Sequence, residues 1–505
     1  MKESAIYARK YRETLLSDPY RPTYHFALPD GNGFPADPNG AFWYNGVYHL
    51  MYLYKSLETD GYHYGHISTR DLLHWRHHPD ALTVSDGDKG CYSGGAFVAE
   101  DGTAYLSFWK FPSADEKVDK GGIALAYSKP PYDIWHRMET IAVESSGVWG
   151  VSDIEIDGDV LHVGCADPSN IWKNGEFYYM QAGNLVLLNA FGREESSDPR
   201  YKGDFTDLFR SRDLRKWEYV GRFYENTKMG IDGWPDETED DMCPSFLPLY
   251  DAAENGSPTG KYLQLFISHN KGCQYYIGVL DGERFVPEQH GRMSFADISY
   301  FAPEALIDGT GRHIMWAWIR NDCASDFEKH GWCGVYGVPR CLWYEDGRLK
   351  MIPVRELDLL EFGRIEYSER DGECVKVHDG SVCRIKGVWR GDYMSGVRVL
   401  VSDDGREYTE IYYSPEKKRL VMDTSRSGTD GWCLRDEAPF ELSDGEELSL
   451  DIFVDKSVVE VYANNRQAIC RRVYPSLSQR ECGIRLIGKT PIRLETCGMF
   501  PSNPY

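Results

Sequence analysis

The residues best placed to do chemistry in this chain are two aspartates in matching contexts. They are Asp37 in Ala-Asp-Pro-Asn-Gly and Asp167 in Ala-Asp-Pro-Ser-Asn. A third acidic opening, the run Glu239, Asp240, Asp241, stands just before Met242 and Cys243-Pro244. A lone Asp before Pro or Asn-Gly is commonly a turn former. Three acidic openings at equivalent places of a repeated pattern carry more weight, because buried carboxylates that face one another are costly to keep. Paired carboxylates suit cleavage of a glycosidic bond, where one serves as nucleophile or base and the other, with a raised pKa, donates a proton. Phe34, Asn39, Tyr64, His66, Tyr92 and Ser93 lie near the same openings and are candidates to stack on a sugar ring and bond its hydroxyls. His74, His77 and His78 fall on what reads as an outer strand, and there is no H-E-x-x-H, calcium loop, Walker loop or post-strand G-x-G-x-x-G. Neither a metal nor a cofactor is expected.

The elements that must hold these residues repeat. Five segments share a short polar motif, an apolar strand, a Gly or Asp-Gly turn and an aromatic-rich second strand. They open at Ala36, Tyr92, Ala166, Met242 and Phe301. Two further segments, Arg70–Trp75 (RDLLHW) and Arg212–Trp217 (RDLRKW), read as the outer turns of two such units. Five antiparallel sheets that cannot each bury their faces alone pack most economically as a five-bladed β-propeller, with the first strand of each blade lining the axis. From about Arg364 the pattern changes to short alternating strands of the β-sandwich kind. The expected fold is all-β: a five-bladed propeller with a short N-terminal extension over residues 1–355, a connector over 356–363 and a β-sandwich over 364–505. Helix is expected only in the extension and the connector, and Trp389 and Tyr393 are expected in the sandwich core.

Charge and composition narrow the partners. With 56 Lys plus Arg against 79 Asp plus Glu, the net charge of −23 repels phosphate backbones and argues against nucleic acid. No apolar run approaches the roughly 20 residues that span a bilayer, and the first residues lack the apolar core of a secretory signal. Thirteen scattered cysteines without a C-x-x-C pair read as reduced thiols in a cytoplasm. Aromatic residues make up 14% of the chain, which fits both strands and sugar stacking. A small carbohydrate is the expected partner; the oligomeric state is left open.

The motifs resemble those of glycoside hydrolase family 32, the invertases, fructanases and fructosyltransferases. ADPNG followed by YHLMYLY is similar to that family's W-M-N-D-P-N-G and Y-H-L-F-Y-Q-Y, and YGHISTRDLLHW to its W-G-H-x-x-S-x-D-L-x-x-W. CYSGGAF, ADPSNIW, FAPEAL and DIFVDKSVVEVYANN match further family segments. The resemblance implies retaining cleavage of a β-fructofuranoside, with Asp37 as nucleophile, Asp167 as transition-state stabiliser and no metal or cofactor. The family usually reads W-E-C-P where this chain has Met242 before Cys243, so the acid is expected at Glu239, with Asp241 as the alternative. Ala36, Leu53 and Ala166 replace polar residues that in the family grip fructose. Fructosyl transfer, including intramolecular transfer to a difructose anhydride, and non-catalytic sugar binding are the alternatives.

Overall fold

Alternating apolar and polar residues around short Gly, Asn and Asp turns give a chain that is 52% strand and 8% helix, so the all-β expectation holds. The computed structural model describes residues 3–28, 33–84, 88–112, 121–225, 239–428, 430–476 and 483–503. The turns show why the strands fold back where they do. Tyr44 pairs with Val47 across Asn45-Gly46, whose φ values of +47° and +76° are those of a hairpin turn that matches strand twist. RDLLHW and RDLRKW form the same turn twice: Leu72 and Leu214 both sit at φ +61°. In each, the preceding Asp caps the turn, Asp71 accepting from the N–H groups of Leu73 and His74, Asp213 from those of Arg215 and Lys216.

Before Val354 the strands form a ten-stranded sheet, a two-stranded ribbon, a five-stranded sheet and two four-stranded sheets. The first two repeats are therefore not separate sheets. A single parallel pair, Tyr62 with Gly90, joins their antiparallel meanders into the ten-stranded one. The ribbon, Val151–Ile156 with Asp159–Gly164, lies outside the repeat pattern, although its Asp157-Gly158 turn is a strong hairpin signal. Among the described residues no hydrogen-bonded sheet closes on itself, but packing between neighbouring repeats forms a continuous run. Gly33–Tyr44 meets Ala96–Val98 and Tyr300–Ile307; Ala166–Pro168 meets Ala104–Pro112 and Met242–Tyr250; and Met242–Tyr250 meets Tyr300–Ile307. The connector forms a 3-10 helix, Arg355–Leu360, and α-helix appears at Glu3–Ser17 as expected and, against expectation, in the short Leu185–Leu187 segment and as a second helix of more than one turn at Cys323–His330. That second helix is stopped by Gly331 in the left-handed region and capped by Asp322, signals that a short segment of mixed polarity hides in sequence.

From Glu361 on, a six-stranded and a five-stranded antiparallel sheet enclose a core of Trp389, Ile385, Val397, Ile411, Leu420 and Ile452. No sheet among the described residues contains strands from both sides of Leu360. Trp389 is in that core as expected, but Tyr393 is 46% exposed, its ring beside Lys489, because it falls in a turn rather than on a strand. Ten described cysteines are free and eight of these are buried. Cys374 is disulfide-bonded, which corrects the expectation of a wholly reduced set.

One buried charge network ties the two parts together. The hairpin Glu447–Asp455 and Val458–Ala463 supplies Asp455, which accepts the N–H groups of Thr23, Tyr24 and His25, and Glu460, which accepts from Val338 N and Arg340. Arg340 Nη2 and Glu460 Oε1 are 3.0 Å apart and neither side chain is exposed. Burial alone would raise the Glu460 carboxyl, but His25 and Arg340 hold it down at about 2. A depressed carboxyl contributes stability above its unfolded pKa and loses it only as pH falls through the folded value. Glu460→Gln leaves Arg340 buried without its counter-charge and is expected to destabilise the protein by about 3–5 kcal/mol at pH 7, read by urea denaturation. A loss within about 0.5 kcal/mol, the range of ordinary surface changes, would contradict this account.

Candidate active site

Four of the five repeat openings carry a bulge at the residue before a proline. Strand registers shift between Pro35 and Pro38, Ala166 and Pro168, Met242 and Ser245, and Phe301 and Glu304. Asp167, Cys243 and Ala302 occupy these bulges with φ of +42°, +49° and +49°. A bulge breaks the pairing and re-aims a side chain, here toward the space where the opening strands meet. The positions equivalent to Asp37 and Asp167 are therefore Cys243 and Ala302. The acidic run before Cys243 is out of line with the two aspartates, contrary to the expectation of three equivalent acidic openings. The signal was the shared residue-before-proline, not the acidity of the neighbourhood.

Asp37 and Asp167 do come together. The Cys243 thiol lies 3.9 Å from Asp37 Oδ2 and 3.6 Å from Asp167 Oδ2. Ser93 Oγ donates to Asp37 Oδ2 at 3.0 Å. Burial raises the Asp37 carboxyl, opposed by Ser93 and by the nearby charges of His269 and Arg320. Asp167, 6% exposed, is pushed up to about 7 by burial and then by Asp37. Cys243 is held as a thiol, its pKa raised well above normal by burial and by both carboxylates. Two like carboxyls in one desolvated place cannot both ionise easily, which splits their proton affinities. The frame behind them is polar too: Glu304 accepts Ala41 N at 2.7 Å, and burial raises its carboxyl to about 8.

The other expected residues divide between wall and frame. Tyr92 begins a ladder of rings, with centroids 4.6 Å from Tyr62, 5.2 Å from Trp109 and 4.9 Å from Phe111, and Phe111 lies 4.7 Å from Trp149. Asn39 is buried as a brace, donating to Asp37 O and accepting Gly94 N, both at 3.0 Å. Tyr64 is fully buried and donates to Tyr92 O at 2.6 Å, so its ring is not on a wall. Phe34 packs edge-on against Phe327 of the Cys323–His330 helix, 5.2 Å between centroids. Glu239 is fully buried, its carboxylate bound by Ser268, Lys271 and Gln274. Asp241 is also fully buried, and burial and then Asp204 raise its carboxyl well above the usual range. Residues 236–238 of the acidic run lie outside the described residues.

Two residues that the sequence reading did not include stand beside the pair. Arg320 lies over the Phe301 ring at 4.8 Å, and its charge acts on Asp37. His269 follows the strand Pro258–Ser268, is 49% exposed, and its charge acts on both Asp37 and Asp167. His78 does not remain on an outer strand with His74 and His77. It joins His49 and His66, their ligating nitrogens all within 4.8 Å. These imidazoles are already bonded: His49 Nδ1 to His66 Nε2 at 2.9 Å, and His78 to Ser68 and Asp133. His66 and His78 stack with ring centroids 4.0 Å apart and planes 15° apart.

The family model "Glycosyl hydrolases family 32 N-terminal domain" matches residues 25–353, and "Glycosyl hydrolases family 32 C terminal" matches residues 384–492. The chain belongs to glycosyl hydrolases family 32. A sucrose-6-phosphate hydrolase of Zymomonas mobilis is 26% identical over 501 residues, covering 92% of this chain and 89% of the relative. The solved sucrose-6-phosphate hydrolase of Lactobacillus gasseri matches with TM-score 0.77 at 21% identity, covering 99% of this chain and 97% of the other. A fructan 1-exohydrolase IIa of Cichorium intybus in complex with 1-kestose matches with TM-score 0.77 at 20% identity, covering 96% and 98%. Met242, the residue before Cys243, is buried and its side chain has no proton to give.

The raised Asp167 carboxyl makes a stability prediction. A folded pKa near 7 against an unfolded value near 3.8 means that its contribution is fully present below pH 3.8 and is lost as pH rises through 7. Asp167→Asn is expected to gain stability over the parent as pH rises from 4 to 8, by roughly 2–4 kcal/mol in urea denaturation. A difference that does not change with pH would contradict the shift.

Proposed function

We propose that this family 32 glycoside hydrolase cleaves β-fructofuranosidic bonds with retention, through a fructosyl-enzyme on Asp37. The observation that carries this reading is the convergence of Asp37 and Asp167 on the one Cys243 sulfur, from two bulged strand openings. In the first half-reaction an Asp37 oxygen bonds to the anomeric carbon as the bond to the leaving oxygen breaks. Asp167, held beside it, stabilises the positive charge that develops on the sugar ring. Water then attacks the same carbon and frees Asp37. No step calls for a metal or cofactor.

We further read residues 1–355 as a five-bladed propeller, supported by the continuous run of packing between neighbouring repeats, and 364–505 as a β-sandwich. The 3-10 helix at Arg355–Leu360 supports 356–363 as the connector. Among the described residues no helix is long and apolar enough to cross a membrane. The cytoplasm is the proposed compartment, in keeping with the ten free cysteines. The substrate class is a short fructoside, with Tyr92, Phe111 and Trp149 as the stacking wall for the units beyond the cleaved one. Ala36, Ala166 and Met242 take polar groups away from the site, so the favoured substrate differs in its hydroxyl pattern from sucrose, or carries it at another linkage.

The test is a product survey on sucrose, on inulin- and levan-type oligosaccharides and on difructose anhydrides, with early products resolved by NMR. Free fructose released with retained configuration is expected, and Asp37→Asn is expected to lose at least about 1,000-fold in kcat while still unfolding in one cooperative transition. Products longer than the substrate, or cyclic ones, would assign transfer instead. Binding without any product would assign a sugar-binding role and overturn the reading.

A further inference from the structure

A retaining cleavage needs a proton donor for the leaving oxygen, and neither Met242 nor the expected Glu239 offers one. Glu239 is buried against Ser268, Lys271 and Gln274, and Asp241 is sealed beside Asp204. The adjacent strand brings another group forward. Ile267 pairs with Met242, so His269 emerges two residues beyond, at the end of the strand pair where Cys243 turns toward Asp37 and Asp167. Its ring meets Phe301, the neighbour of the bulged Ala302, edge-on at 5.8 Å, which places it between the openings of the last two sheets.

We propose that His269, aimed by Asp240, is the acid/base of this site. This rests on Asp37 as the nucleophile and goes beyond it by naming the group that handles the proton. Asp240 Oδ2 accepts the His269 backbone N–H at 3.1 Å and lies 3.3 Å from its Nδ1. A single carboxylate oxygen thus fixes both the main chain and the ring and sets the tautomer in which Nδ1 carries a hydrogen. Nε2 is left as the working nitrogen, and the side chain is 49% exposed while Asp240 is buried, the arrangement of an oriented group backed by its positioning residue. The carboxylates of Asp240, Asp167 and Asp37 hold the imidazole's proton against the opposing effect of burial.

The proton balance closes. As Asp37 bonds to the anomeric carbon, the bond from that carbon to the leaving oxygen breaks and the oxygen takes the proton from Nε2, so the alcohol departs neutral. Neutral His269 then removes a proton from water as its oxygen bonds to the anomeric carbon and the ester to Asp37 breaks. Fructose, the Asp37 carboxylate and protonated His269 result. The position of the donor moves from the strand that opens the fourth repeat to the end of its neighbour, and the side chain changes from carboxyl to imidazole.

The test compares two leaving groups: the best-cleaved oligosaccharide of the product survey, and β-fructofuranosyl fluoride, whose fluoride departs without protonation. His269→Gln is expected to lose at least about 100-fold in kcat/KM on the oligosaccharide and less than about 5-fold on the fluoride. It should also lose the basic limb of the pH profile, and Asp240→Asn should move that limb to lower pH. Glu239→Gln serves as the rival, with thermal unfolding as the check on folding for all three. Parental activity of His269→Gln on the oligosaccharide, equal losses on both substrates, a basic limb left in place, or a leaving-group-dependent loss in Glu239→Gln instead would each overturn the proposal. Failure of the unsubstituted enzyme to cleave the fluoride would mark the failure of the Asp37 reading, whereas parental cleavage of both substrates by His269→Gln would sink the His269 assignment alone.

Discussion

Two carboxylates kept side by side in a desolvated place are the constraint on which the rest of this structure turns. Left to themselves Asp37 and Asp167 would repel each other, take up a proton or move apart. Four bulged strand openings prevent the last, because each fixes the direction of one side chain through the pairing of its own sheet. The contacts that follow all serve the same end. Ser93 donates to Asp37, the Cys243 thiol sits between the pair, and Asn39 braces the Asp37 backbone. The left-handed backbone at Asp167, Cys243 and Ala302 is strain stored where function needs it.

The hairpin of Asp455 and Glu460 fastens the Thr23–His25 segment and Arg340 to the sandwich, and Arg340 lies in the strand that pairs with Met315 and Pro353. Through Arg340 the C-terminal sheets hold the last sheet of the N-terminal part, which carries Ala302 and Glu304 and leads into Arg320. Glu304 in turn reaches the first sheet at Ala41, four residues beyond Asp37. The charges of this frame, unlike those of the surface, have fixed partners, which suits a site whose chemistry depends on proton affinities split by position.

Much of this was legible in the sequence. The strand-turn-strand repeat, the twin RDL turns and the shared Asp-Pro openings at Asp37 and Asp167 are local patterns, and local patterns survive translation into structure. What the sequence hid is non-local. Glu239 looks like an acid in waiting until Lys271 and Ser268 arrive from the next strand to engage it. Asn39 and Tyr64 look like sugar ligands until burial shows that their partners are backbone carbonyls and amides. His269 and Arg320 lie just beyond the ends of second strands, where register across the sheet, not spacing along the chain, decides that they face the aspartates. Cys243 carries a legible signal, since it shares the residue-before-proline position with Asp37 and Asp167, whereas the neighbouring acidic run does not.

The central claim is that Asp37 attacks carbon. Its most direct test is to quench the enzyme during turnover of a slowly deglycosylated fructoside, digest it, and locate any hexosyl adduct by peptide mass spectrometry. The account predicts one hexosyl unit esterified to Asp37 and lost on further incubation with water. No adduct, or an adduct on another residue, while substrate is consumed would contradict it.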